Sequence, residues 1–458
     1  MRLKVLVLFG LLPMGAVCQN SAAVWLTTPD KQTLFKKQDP IAFGASAPDS
    51  YPSIQVDGKK TYQRMDGFGF ALTGGSAALI DGLPKAERAS ILEELFSTKG
   101  IGISYLRISI GASDLDPAVF SYDDMPKGQK DPGLDRFSIA RDREHLIPLL
   151  HDILAINPHI KILGSPWSAP AWMKDNDTSE GGHLLAAYYK TYARYLVKYV
   201  RAMKAAGIRI DAITPQNEPM NERNNPSMVV TDTAEAAFIR TALGPVFREA
   251  GLATKIIVWD HNCDWLGYPL YILGDPKAAA YVDGSGWHLY RGEISALSKA
   301  HDAFPNKNIY FTEEYTAGGS NFGGDLSWHV ENLIIGAPRN WAKNVLEWNL
   351  ASDPRLEPHT PGGCNTCLGA LTVGGDSVTR NVSYYIIAHA SKFVRPGSVR
   401  IASTESGAFP NVAFHTPDGK TVLIVLNHGQ ATQSFHIVAG ERQALATLTP
   451  GAVATYVW

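Results

Sequence analysis

Short apolar runs recur along the chain, each closed by polar residues or glycine and followed by a stretch with helical spacing. They predict strands over residues 65–70, 105–110, 161–164, 212–214, 255–259, 282–288, 308–312 and 344–348. Between them, 85–96 places apolar residues at helical intervals, 184–206 is Tyr-rich and basic on one face, and 233–250 is a third helical stretch. Eight strands alternating with helices over roughly three hundred residues predict an α/β fold, a (β/α)8 TIM barrel. From about residue 398 the pattern changes. Short alternating segments at 398–401, 412–415, 421–426, 434–438 and 453–458 are separated by Gly, Asn and Pro, as in a small β-sandwich. Residues 23–26 and 54–56 alternate in the same way, so the accessory β-sandwich is expected to take strands from both chain ends. The expected divisions are a leader at 1–18, an N-terminal segment at 19–64, the barrel at 65–390 and the sandwich at 391–458.

Most of the predicted strands end in a residue able to do chemistry. Asp114 lies just beyond the second, Trp167 after the third and Asn217-Glu218 after the fourth. Asp260, His288, Glu313 and Trp348 close the next four. In a TIM barrel these C-terminal ends build the active site, whereas solubility alone does not account for so regular a placement.

Composition narrows the function classes. Hydrophobic residues make up 45% and charged residues 19% of the 458, enough for a large core and against global disorder. A net charge of −2 with no long basic run gives no surface for nucleic acid. At the N-terminus, Arg2 and Lys4 precede the apolar run at 5–12, and Ala16 and Cys18 stand at −3 and −1 before Gln19. That pattern predicts a secretory signal peptide and a secreted or periplasmic product; a lipoprotein reading of Cys18 conflicts with Val17. No other run is long enough for a transmembrane helix. Three cysteines then remain. Cys364 and Cys367 are candidates for a local disulfide, with a zinc site recruiting His359 or two free thiols as alternatives, and Cys263 is expected to be a buried free thiol. Asn176-Asp177-Thr178 and Asn381-Val382-Ser383 match glycosylation sequons.

Two of the strand-end residues suit one reaction. Hydrolysis of a glycoside with retention needs two carboxyls about 5–5.5 Å apart, one donating a proton and one attacking. Glu218 ends the fourth strand in Thr214-Pro215-Gln216-Asn217-Glu218-Pro219, and Glu313 ends the seventh after Tyr310-Phe311-Thr312. Those strands face each other across the barrel mouth. A lone Glu is more often a solvated loop residue, but the Asn-Glu-Pro context and two matching strand ends favour catalysis.

The motifs then carry a resemblance. Asp66-Gly67-Phe68-Gly69, Leu106-Arg107-Ile108-Ser109, the run Ser165-Pro166-Trp167-Ser168-Ala169-Pro170 with Ala171-Trp172-Met173-Lys174, and Gln216-Asn217-Glu218-Pro219 come in order. They continue through Trp287-His288-Leu289-Tyr290, Phe311-Thr312-Glu313, Glu347-Trp348-Asn349-Leu350 and Ser391-Lys392-Phe393-Val394-Arg395-Pro396-Gly397-Ser398. The set resembles glycoside hydrolase family 30, the family of lysosomal glucosylceramidase and of microbial endo-β-1,6-glucanases.

The resemblance implies Glu218 as acid/base, with Asn217 beside it on the sugar 2-hydroxyl, and Glu313 as nucleophile. It also implies Arg107 near the nucleophile, and Asp114, Trp167, His288, Tyr290 and Trp348 around the glycone. For all of these but Tyr290 there is a plainer alternative: a structural salt bridge for Arg107, a cap for Asp114, core packing for the tryptophans, a satisfied structural role for His288. Glu314 competes with Glu313, but neighbours on a strand face opposite ways. The implied mechanism uses no metal or organic cofactor.

Two departures bear on substrate. Thr73-Gly74-Gly75-Ser76 replaces a Thr-Asp pattern, and the loop from His359 to Cys367 replaces the Gly-Gly-Pro-Asn-Trp of lysosomal-type enzymes. A Gly-Gly-Cys-x-x-Cys loop looks like the β-1,6-glucanase branch, so β-1,6-glucan is the expected carbohydrate. Glucosylceramide or another β-glucoside is the alternative, with xylan behind it. A transglycosylase shares both glutamates, whereas a non-catalytic sugar-binding barrel would be expected to have lost one.

Overall fold

The computed structural model describes residues 20–45 and 50–458. The expected signal peptide, with its Ala16 and Cys18 positions, lies outside the described residues. No helix among the described residues is long and apolar enough to cross a membrane.

Eight parallel strands close a barrel: Gly67–Leu72, Tyr105–Ser109, Lys161–Ser165, Ala212–Ile213, Lys255–Asn262, Val282–His288, Asn308–Glu313 and Ala342–Asn349. The eighth pairs with the first, Asn344 opposite Gly67, which closes the ring. Strands buried on both faces need apolar residues at nearly every position, which is why they read as continuous runs. Tyr105, Leu163, Ala212, Ile257, Tyr310 and Leu346 form a small cluster inside the barrel, while a far larger cluster joins the outer strand faces to the helices. The helix Tyr189–Ala205 shows how that outer layer is held. It buries Tyr192, Tyr195, Leu196, Tyr199, Val200 and Met203, spaced three and four apart.

The expected strand at 65–70 is displaced. Met65 is bonded to the second domain instead, donating its N–H to Ser398 and accepting from Gly397. The expected helix 233–250 is interrupted. It runs as Asp232–Phe238, widens to a π-turn over Ile239–Leu243, and resumes as Gly244–Glu249. Pro245 lacks the N–H that an unbroken helix would use there. Gly244 is held small because a side chain would strike the Tyr281 ring.

The second domain is a ten-stranded sheet built from both chain ends. Ser21–Thr27 pairs antiparallel with Val453–Val457, so the first described strand zips to the last. Ser53–Arg64 is much longer than the expected 54–56; it lies antiparallel to Val399–Ser403 and parallel to Gln433–Ala439. Its register shifts against Val399–Ser403. A separate core of Val24, Ile54, Ile401, Leu423, Phe435 and Tyr456 draws on both parts of the sheet. Arg442–Leu448 is a strand that the sequence pattern missed; its inward residues after Gln443 are two alanines and a leucine, a weak apolar signal. Buried His389, on the barrel helix Val382–Ser391, is in hydrogen-bond contact with Thr27 and Thr455 and so ties the domains together.

Candidate active site

The C-terminal strand ends open into a cleft of about 650 Å³ whose walls include Asp114, Trp167, Glu218, Trp265, Glu313 and Trp348. The long loop after the second strand carries Asp114. It is anchored where Tyr122 stacks on Tyr199 (5.5 Å, 7°) and donates to Asp142 at 2.6 Å.

Arg107 is the hub beneath the cleft floor. Its fully buried guanidinium donates to Glu313 Oε2 at 2.5 Å, Asn217 Oδ1 at 2.6 Å, Asp260 Oδ2 at 2.7 Å and Ser165 Oγ at 3.2 Å. Only a planar fork with several donors serves so many acceptors at once. Asp260 is also buried, and burial opposes its charge, but Arg107 and His288 hold its carboxyl far below the usual range. Buried charges on this scale are tolerable only because each is paired.

His288 bridges the two glutamates. Its Nδ1 lies 3.1 Å from Glu218 Oε1 and 3.6 Å from Glu313 Oε1, and its Nε2 lies 3.2 Å from Asp260 Oδ1. The two carboxyl oxygens are therefore no farther apart than those first two distances laid end to end. Burial disfavours the imidazolium, yet Glu313, Asp260 and Glu218 lift His288 to about 10.

The carboxyls differ in their company. Burial pushes Glu218 up, but the His288 bond, the nearby His261 and an amide donor from Asn221 at 2.7 Å bring it to about 2. Burial raises Glu313 above the ordinary glutamate value, and the charges of His288 and Arg107 only partly offset that. Tyr290 donates to Glu313 Oε1 at 2.9 Å. The contrast matters: Glu313 touches a guanidinium that cannot release its proton, whereas Glu218 faces two imidazoles that can. Backbone strain marks the same place, since Glu218, Trp259 and Asp260 all have positive φ (45°, 75° and 56°). Such residues cost about 1–3 kcal/mol each and persist where surrounding structure holds them.

The rim is organised by Asp114. Cys364 and Cys367 form a disulfide. The Cys364 N–H donates to Asp114 Oδ2 at 3.2 Å, and Thr360 N–H donates to the Asp114 carbonyl at 2.9 Å. Burial, with the Glu313 charge behind it, raises the Asp114 carboxyl to about 7. His359 is turned to the Thr360 carbonyl and Glu357. The Thr73-Gly74-Gly75-Ser76 segment is a helix start in which Thr73 caps the Ser76 N–H. A side chain at Gly74 would collide with the Asp116 carboxylate, so this position is held to glycine.

Every residue expected at the site lies within this cluster. Trp167 and Trp348 line the cleft but are almost fully buried and stack on each other (5.3 Å, 28°). The open aromatic face belongs to Trp265, 46% exposed on the wall after the fifth strand. In the sequence Asp260 is visible as a strand end without a role, whereas no short motif around His261, Asn221 or Trp265 carries a signal. Glu218, His261 and His288 bring three ligand-type atoms within 4.8 Å, the one such group among the described residues. Cys263 is a buried free thiol. Of the sequons, Asn381 uses its amide nitrogen on Gly369 and Thr372, so it is not available to a glycan.

Comparison with known proteins agrees along nearly the whole chain. The glycosyl hydrolase family 30 TIM-barrel domain matches residues 65–394, and the family's beta sandwich domain matches 397–456. An endo-1,6-beta-D-glucanase from Neurospora crassa is 35% identical over 386 residues, covering 80% of this chain and 79% of that protein. The lysosomal acid glucosylceramidase of Mus musculus is 29% identical over 432 residues, covering 88% and 83%. Among solved structures, the endo-beta1,6-glucanase BT3312 superposes with a TM-score of 0.89 at 34% identity, covering 96% of this chain and 99% of that one.

Proposed function

This chain belongs to glycosyl hydrolase family 30 and is a glycoside hydrolase, and from that premise we propose that it is a secreted endo-β-1,6-glucanase acting with retention, Glu218 serving as acid/base and Glu313 as nucleophile. The observation that carries the roles is the unlike company of the two carboxyls. Arg107 gives Glu313 a permanent counter-charge, which suits an anion that must attack. Glu218 sits against imidazoles, which suits a group that must take and give a proton.

The steps follow from that geometry. Asp260, held anionic, accepts Nε2–H of His288 and leaves Nδ1 carrying the exchangeable proton. Before sugar binds, that proton rests on His288. A bound sugar excludes water, and in a drier site a neutral acid beside a neutral imidazole is favoured over an ion pair. The proton then crosses the 3.1 Å to Glu218 Oε1. The transfer removes both the Glu218 charge that raised Glu313 and the larger His288 charge that lowered it, so it falls to Arg107 to keep Glu313 ionised.

Glu313 attacks the anomeric carbon while Glu218 protonates the departing oxygen, giving a covalent glycosyl-enzyme. Glu218, now a carboxylate, takes a proton from water as the water oxygen attacks the same carbon. The second displacement frees the sugar and Glu313. Asn217 spends its oxygen on Arg107, leaving its amide nitrogen to donate to the sugar 2-hydroxyl.

The choice of β-1,6-glucan rests on the rim. The disulfide loop after the eighth strand is fastened to Asp114, and the glucanase relatives align more closely than the glucosylceramidase. Product analysis on linear β-1,6-glucan, gentiobiose and glucosylceramide tests the reading. Internal cleavage of the glucan to oligosaccharides that keep the β-anomer is expected. Release of glucose from glucosylceramide alone would replace it with the second reading.

A further inference from the structure

Glu314, next to the nucleophile, faces elsewhere. It is 5% exposed, its Oε2 has no hydrogen-bond partner, and it lines a second groove of about 520 Å³ outside the barrel mouth. This groove lies between the ends of the sixth and seventh strands and the helix Phe322–His329. Trp328, on that helix, is 41% exposed and lines it, as does Asp325. Tyr290 and Tyr315, 5.6 Å apart, line both this groove and the catalytic cleft, so they form a shared ridge between the two.

An exposed indole face beside carboxylates and an acceptor without a donor is the chemistry that holds a pyranose: the C–H face stacks and the hydroxyls donate. The mechanism uses none of Glu314, Asp325 and Trp328. We propose that this groove is a remote glucosyl subsite. A glucan whose scissile bond lies between Glu218 and Glu313 passes over the Tyr290–Tyr315 ridge and sets a further sugar on Trp328, its hydroxyls donating to Glu314 and Asp325. The proposal rests on the β-1,6-glucan reading. An extra rotatable bond at every such linkage lets the chain bend over a ridge that a stiffer glucan would not follow. Because Tyr290 also bonds Glu313, a sugar seated beyond the ridge braces the nucleophile, and remote binding energy reaches the reacting carbon.

The test is a length series. The kcat/KM of the wild type and of Trp328→Ala is measured on β-1,6-linked gluco-oligosaccharides from the disaccharide upward. The wild type is expected to gain with length, and Trp328→Ala to lose that gain, falling about tenfold on the long members. Titration of the same oligosaccharides into Glu313→Gln and Glu313→Gln/Trp328→Ala, followed by calorimetry, should show the same length-dependent loss of affinity. Loss by one factor at every length, or no loss at any, overturns the subsite. If the wild type instead ignores β-1,6-glucan and another β-glycan shows the Trp328-dependent length effect, the substrate reading fails and the subsite stands. Cleavage of β-1,6-glucan with no dependence on Trp328 overturns the subsite and leaves the substrate reading in place.

Discussion

The backbone N–H of Cys364 donates to the Asp114 carboxylate at 3.2 Å, joining the loop after the eighth barrel strand to the loop after the second across the mouth of the cleft. One end of that bond belongs to the disulfide and the other to a buried wall of the catalytic cleft. The shape of the rim and the polarity of the cleft are thus set together.

Opening the disulfide should therefore act on substrate binding more than on stability. A loop this small is worth at most about 2 kcal/mol by chain entropy. Cys364→Ser/Cys367→Ser is expected to raise KM for β-1,6-glucan about tenfold with a smaller change in kcat, the pattern of lost uniform binding. Steady-state kinetics with and without reductant checks it; an unchanged KM would show that the loop needs no covalent closure.

The two glutamates should separate by chemistry. Glu313→Ala is expected to abolish turnover, and added azide to restore part of it with inverted product stereochemistry. Glu218→Ala should lose about 10²–10⁴-fold on natural glucan and far less on aryl glycosides that leave without protonation. Glu314→Ala, on the other face of the strand, should retain catalysis. If it is as damaging as Glu313→Ala, the nucleophile assignment is wrong.

Removing Arg107 should cost stability as well as rate. Arg107→Met leaves buried Asp260 and Glu313 to share His288 as their one nearby cation, a loss on the order of 3–5 kcal/mol. Arg107→Lys cannot reach four acceptors from one nitrogen and should recover little. Chemical unfolding measures this, and a variant as stable as the parent would contradict the pairing.

The pH profile should report His288. The active form holds one proton on the His288–Glu218 pair, so kcat/KM falls as pH rises through the value at which that proton leaves, and the pair holds it to about 10. On the acid side, activity falls as Glu313 is protonated, above the ordinary glutamate value. In His288→Gln, burial alone must keep the proton on Glu218, and the alkaline limb should move to lower pH by at least about one unit. The sign for stability is the same. The raised His288 contributes fully below its unfolded value of 6.5 and loses that contribution as pH rises through about 10, so parent and variant should converge in Tm at high pH. An alkaline limb that stays in place would refute the shared proton.

Much of this site was readable because a TIM barrel lines up its chemistry at strand ends. Glu218, Glu313, Asp114 and His288 each follow an apolar run, and the run predicts the position. What escaped lies where position depends on loops and on the second layer. Trp265 projects from a loop whose path no local pattern gives. Trp328 looks like any surface residue until the helix after the seventh strand is laid beside Glu314. Trp167 and Trp348 carried the right residue type and location, but their mutual stacking depends on both loops at once. Arg442–Leu448 was missed because alanines face its core, and Asn381 looked like a glycan acceptor because a tertiary hydrogen bond leaves no mark on a three-residue motif.

The pairing of Ser21–Thr27 with Val453–Val457 has a consequence in time. Lys36–Ala42 follows at once and pairs with one edge of Ser21–Thr27, but Val453 is made more than four hundred residues after Thr27, so the other edge must stay open while the barrel is synthesised. The seam can close only after Val453–Val457 has left the ribosome. A chain cut before Val453 would possess both glutamates and still leave one edge of Ser21–Thr27 bare.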